Sequence, residues 1–146
     1  MHASVRVSVL YDSSLGASAR RAASAAALGP LLRRCGDDLG VAVRATVTVR
    51  LTDDATMRDL NRRFLSIDEP TDVLAFPLHE ANRIGDIAIS VERAMSQSAD
   101  GVAELRLLTV HGLLHCLGHD HDERARAATM TAVTRRLLPA QTVPDL

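Results

Sequence analysis

The sequence predicts an α+β fold, a small and mostly sequential sheet with helices packed on it. Two patterns predict it. Several short stretches alternate apolar and polar residues at the two-residue period of a half-buried strand, and others repeat apolar residues at helical spacing. Taken in order the segments read β-α-β-α-β-β-α-α-α, which is a layered α+β arrangement. With 146 residues the chain suits one domain, residues 1–146, with a core of its own.

The first strand is "VRVSVLYD" (5–12), by its alternation. An Ala/Arg/Leu-rich stretch from about Ala17 to Leu39 follows as helix, interrupted by Gly29-Pro30 because proline lacks an amide and clashes with the preceding turn. "VRATVTVRL" (43–51) alternates and is β-branched, hence a strand. "DDATMRDLNRRF" is a helix with Thr52 or Asp53 as its N-cap and Met57, Leu60 and Phe64 at helical spacing. Pro70 ends any helix. Val73, Leu74 and Phe76 then make a short strand stopped by Pro77, and "GDIAISV" (85–91) makes another. The most apolar helix runs from about Val102 to Leu117. The last opens at Asp122 and Glu123, with a stripe of Ala127, Met130, Val133 and Leu137.

Composition narrows the function classes. Aromatics are 2% of residues, so the core is built from Ala, Val, Leu and Ile. All 17 basic residues are Arg, which fits a biased genome composition, and the formal net charge of -1 argues against a broad nucleic-acid-binding surface while leaving room for a local basic patch. No run is long enough to span a bilayer, and the start lacks the basic and apolar blocks of a signal peptide. Cys35 and Cys116 do not make a disulfide framework and suit a reducing compartment. A cytoplasmic location without membrane association is the expectation.

The stretch "VHGLLHCLGHDHDE" (110–123) carries the chemistry. His111 and His115 stand four apart on a helix, about 40° apart around its axis, so two imidazoles on one face can bind one ion. Gly118 suits the helix end, after which His121 can swing back as a third ligand. Three neutral imidazoles with one open position is the arrangement of a catalytic zinc. His119 sits inside the turn and points to solvent or substrate. Cys116, about 100° around from His115, reads as a small core residue. Zinc peptidases of the H-E-x-x-H-x-x-G-x-x-H pattern share this spacing, but their general-base Glu is replaced here by Gly112.

That histidine stretch, with "NRRFLSIDEPTDVLAFP" and "GDIAIS" ahead of it, resembles the YbeY family of bacterial and organellar metal-dependent endoribonucleases. The resemblance runs from about Thr46 to Leu138, with the three motifs in the family's order and spacing. It implies a mixed sheet of about four strands packed with about five helices. It implies one Zn2+ per chain, held by His111, His115 and His121 at the end of a central helix, and a substrate channel between that helix and the "PTDVLAFP" segment. It also implies cleavage of single-stranded RNA in ribosomal RNA maturation (the 16S 3′ end) and ribosome quality control, with rRNA precursor, the small ribosomal subunit and its assembly factors as partners. Asp72 and Asp86 match family positions, though capping a turn or anchoring a strand end accounts for them equally well.

One position departs. Leu65 stands where the family pattern places an arginine that contacts RNA phosphate. Arg62, one turn earlier on the same face, is the candidate replacement in binding and catalysis, with Arg63 second; solvated helix charges are the plain alternative. His119, Asp120 and Asp86 are the candidates for proton transfer. Two rivals to the endoribonuclease stay open: a non-catalytic zinc-containing ribosome-assembly factor and, less favoured because of Gly112, a zinc peptidase. Oligomeric state is not legible, and imidazoles also suit nickel or copper.

Overall fold

The computed structural model describes residues 4–41 and 44–146. Strand β1 (Arg6–Tyr11) leads into helices α1 (Ala17–Ala26) and α2 (Leu28–Asp38), then β2 (Thr46–Thr52), α3 (Asp54–Leu65), β3 (Val73–Glu80), β4 (Arg83–Ser90), α4 (Val91–Gln97), α5 (Gly101–Cys116) and α6 (Arg124–Leu137). With α1 and α2 counted as halves of one helix, this is the predicted order. The first of the three predicted final helices has no predicted residue range; α4 fills that position, started by Ser90, whose Oγ accepts the Arg93 amide at 3.2 Å. Val43, the first residue of the predicted second strand, lies outside the described residues.

The four strands lie in the order β1-β2-β4-β3, with β1, β2 and β4 parallel and β3 antiparallel to β4. The sheet is therefore sequential except that β4 takes the place beside β2. β3 and β4 form a hairpin, so β3 is left on the edge. That edge explains a correction: β3 is not stopped by Pro77 but runs through it to Glu80, with a register irregularity after Pro77. An edge strand has a free side on which a missing amide costs no ladder bond.

The helical interruption falls at Ala27, which adopts a left-handed conformation with φ 50°. It precedes Pro30 by three residues because proline crowds the turn before it. The chain breaks there and restarts as α2 with Pro30 in its first turn, where an amide has no intrahelical partner. α3 begins at Asp53, whose carboxylate accepts the Thr56 amide at 2.7 Å, and ends before Ser66 in a left-handed conformation, ahead of Pro70.

Alternation sorts the sheet into two faces. Val47, Val49, Leu51, Ile87 and Ile89 face α1, α2 and α5 in the main core, while Leu74 and Ala88 meet Met57 of α3 in a smaller cluster on the other face. α5 packs against the sheet and against α1, α2, α4 and α6. A helix so enclosed carries apolar residues all round, and Leu105, Val110, Leu113 and Leu114 are buried. Among the described residues no helix is long and apolar enough to cross a membrane.

Candidate metal centre

The C-terminal half of α5 is held close to the sheet by two glycines. A Cβ at Gly112 would stand 2.6 Å from Ile87 Cγ2, and one at Gly85 would stand 2.6 Å from Cys116 Sγ and 2.7 Å from the Phe76 carbonyl oxygen. Neither position has room for a side chain. This close seating brings the face of α5 that carries His111 and His115 up to strand β3.

The helix then ends as the sequence predicts. Gly118 has φ 97°, the left-handed region that glycine enters without steric cost. Its amide donates to the His115 carbonyl at 3.1 Å, and the His119 amide donates to the Leu114 carbonyl at 2.9 Å. That pair of bonds is the Schellman termination, which turns the chain sharply back. The reversal returns His121 to the helix, and the Asp120 carboxylate steadies the turn by accepting the His121 amide at 2.7 Å.

His111, His115 and His121 converge: each offers a ligand nitrogen, and these atoms all lie within 4.8 Å of one another. The Nε2 atoms of His111 and His115 face each other at 3.1 Å. Two nitrogens bound tetrahedrally to one zinc at about 2.0–2.1 Å would stand about 3.4 Å apart, so the pair is already near chelating distance. Burial, with the neighbouring His115 and His121, pushes His111 down to about 4. Burial also lowers His115. Both are therefore neutral near pH 7, the form a metal requires. The three histidines could hold a metal ion. Cys116 is no competitor: burial and the Asp86 charge raise its thiol to about 11.

The tripod forms one wall of an open cavity of about 510 Å3. Across from it stand Val73, Leu74, Ala75 and Pro77 of β3 and Leu65 at the end of α3, while His119, Asp120 and Asp72 complete the polar lining. The cavity lies between the metal helix and the "PTDVLAFP" segment, where the resemblance implies a channel.

The other sequence candidates divide. His119 and Asp120 line the cavity with the tripod. The Asp120 carboxyl lies below its ordinary range, chiefly through the His121 amide; no hydrogen bond joins it to a ligand imidazole. Asp72 also lines the cavity, and its carboxylate accepts the Val73 amide at 2.8 Å and the Gln97 amide at 3.3 Å, so it anchors the start of β3. Asp86 is elsewhere: it lies beside Thr48 and Phe76 on the opposite face of the sheet. Arg62 and Arg63 do not line the cavity. Both pair with Asp59 on α3, at 2.6 and 3.3 Å. Leu65, 53% exposed, presents an apolar wall where a cation was sought.

Known proteins resemble the chain along most of its length. The family model for endoribonuclease YbeY matches residues 17–141, so the likeness begins in α1, well before the Thr46 at which the motifs alone made it legible. A protein of Moorella thermoacetica named endoribonuclease YbeY is 41% identical over 116 residues, covering 68% of this chain and 74% of the relative. One of Salinispora tropica with the same name is 38% identical over 126 residues, covering 73% and 80%. The solution structure of TM1509 from Thermotoga maritima superposes with a TM-score of 0.52 at 24% identity, covering 91% of this chain and 89% of that one, which speaks for the shared fold alone.

Proposed function

Because the chain belongs to the endoribonuclease YbeY family, we propose that it is a zinc-dependent endoribonuclease that hydrolyses phosphodiester bonds in single-stranded RNA. The observation that carries the metal-hydrolase reading is the tripod itself: three imidazoles converge at the wall of an open cavity, without a fourth donor in the group among the described residues. A closed structural zinc takes four protein ligands, whereas three leave a position for water or substrate. When bound, zinc supplies Lewis acidity that acidifies a water and polarises a phosphoryl oxygen near neutral pH.

The chain's own residues prepare that chemistry. His111, His115 and His121 are the proposed ligands, the first two kept neutral largely by burial. His119 and Asp120, on the same wall, are the proposed proton carriers. Arg62 and Arg63 are proposed to meet the strand beside Leu65. Their pairs with Asp59 are exposed and weak, so an arriving phosphate can compete for them.

The proposed substrate is rRNA precursor at the 16S 3′ end, met on the small ribosomal subunit with its assembly factors. The proposed setting is the cytoplasm, with residues 1–146 working as one hydrolase domain. The relatives' name, endoribonuclease, supports the RNA substrate. The apolar wall at Leu65 supports a second reading, a zinc-containing assembly factor that does not cut. A labelled single-stranded RNA incubated with the zinc-loaded protein separates the two. Cleavage that a chelator abolishes and zinc restores is expected; zinc bound with the strand left whole supports the assembly factor.

A further inference from the structure

We propose that Arg126, with His119, forms a phosphate subsite beside the metal cavity that holds a backbone phosphate of single-stranded RNA next to the cut bond; this deepens the endoribonuclease reading and rests on it. A phosphodiester gathers negative charge on its non-bridging oxygens as it reacts, and a site that cuts one needs cations or donors set against them. Among the described residues the wall of the metal cavity offers no guanidinium: its charged and titratable side chains are Asp72, Asp120 and the four histidines. A metal on the tripod would face the reacting phosphate, but Asp72 and Asp120 repel the phosphates on either side of it, so a cation for one of those has to come from a neighbouring surface.

One neighbouring surface supplies it. A shallower depression of about 220 Å3 shares Gly118, His119 and Asp120 with the metal cavity and extends to Arg126 and Thr129 of α6. The two hollows thus adjoin at Gly118, His119 and Asp120. The second is smaller than the usual pocket for a whole organic ligand, about 300 Å3 or more, which suits one phosphate group better than a base. Arg126 stands in the first turn of α6, a turn without an acidic residue. A cation there opposes the helix dipole, so helix stability does not account for it. Its ion-pair partner is Asp122 at 3.0 Å, an exposed i,i+4 pair with side chains 46% and 51% exposed. Such a pair is weak, and a phosphate can displace Asp122 from the guanidinium. Arg62 and Arg63 line neither hollow.

In this arrangement the two partners of one ion pair act in opposite directions on RNA, and the salt dependence tells a direct phosphate contact from a general change of charge. The test is fluorescence anisotropy of the full chain with a labelled single-stranded oligoribonucleotide, in chelator so that the strand stays whole. Arg126→Ala is expected to weaken binding on the order of five-fold and to lower the slope of log affinity against log salt by about 0.7, the value of one single-strand phosphate contact. Arg126→Lys should recover part of the affinity. Asp122→Ala, which frees the guanidinium, should bind as tightly as wild type or more tightly. Unchanged binding by Arg126→Ala overturns the subsite, as does equal weakening by both alanine variants or a wild type that does not bind. Cleavage of the same strand by the zinc-loaded protein reports on the parent reading separately. A wild type that binds with the Arg126 effect but never cuts removes the endoribonuclease and leaves a strand-binding site. A wild type that cuts with a KM indifferent to Arg126→Ala removes the subsite alone.

Discussion

Gly112 of α5 lies directly against Ile87 of β4, so close that a Cβ at position 112 would stand 2.6 Å from Ile87 Cγ2. In sequence, position 112 is where a zinc peptidase of similar spacing carries its general base. In the structure it is a packing contact that sets how near the metal helix comes to the sheet.

Gly112→Ala should therefore destabilise the protein although alanine is the better helix former. Overpacking costs typically 1–3 kcal/mol and the propensity gain returns about 1, leaving a net loss of about 1 kcal/mol in a urea melt. Gly112→Glu should lose more stability and acquire no peptidase activity on casein. A Gly112→Glu protein as stable as wild type that cleaves casein would show that the position is open to a base after all.

The metal-free protein should lose stability as pH falls from about 6.5 towards 4. In the unfolded chain a histidine titrates near 6.5, whereas burial and the neighbouring imidazoles hold folded His111 to about 4 and burial lowers His115 as well. Between those values the unfolded chain binds protons that the folded one does not, so stability rises with pH across that window and levels off above it. Urea midpoints measured in chelator at pH 7.5, 6 and 5 check this. A midpoint that stays flat, or rises on acidification, contradicts the buried neutral pair.

At Leu65 a cation can be tested directly. The side chain is 53% exposed at the cavity wall, so Leu65→Arg should change stability by less than about 1 kcal/mol. If the apolar wall limits the enzyme, this substitution raises the cleavage rate several-fold on single-stranded RNA, and Arg62→Ala lowers it. Rates unchanged in both variants would show that neither the wall nor Arg62 matters to the reaction.

Much of this was legible in the residues because it is local. The spacing of His111, His115 and His121 and the glycine at 118 set a helix face, a left-handed stop and a return, and each depends on a few neighbouring residues. The strands of β1 and β2 were legible from alternation. What escaped the sequence was set by partners distant in the chain. Pro77 reads as a strand stop until β3 is seen to be an edge. Asp86 reads as a neighbour of the site until the register puts it beside Thr48 and Phe76 on the other face. Arg62 has the right helical spacing from Leu65, but Asp59 engages it. Gly112 reads as a missing base until Ile87 is placed against it. Arg126 carried no signal beyond an arginine in the first turn of a helix.

The most direct measurement of the three-histidine centre as a catalytic site compares wild type and His115→Ala by metal analysis and by cleavage of one labelled single-stranded RNA. Because His115 is only half-buried, His115→Ala should still fold. It should carry far less zinc than wild type and cut the strand at least 100-fold more slowly, the scale on which loss of one essential group in a catalytic site is felt. A zinc-free His115→Ala protein that cuts RNA at the wild-type rate would contradict it.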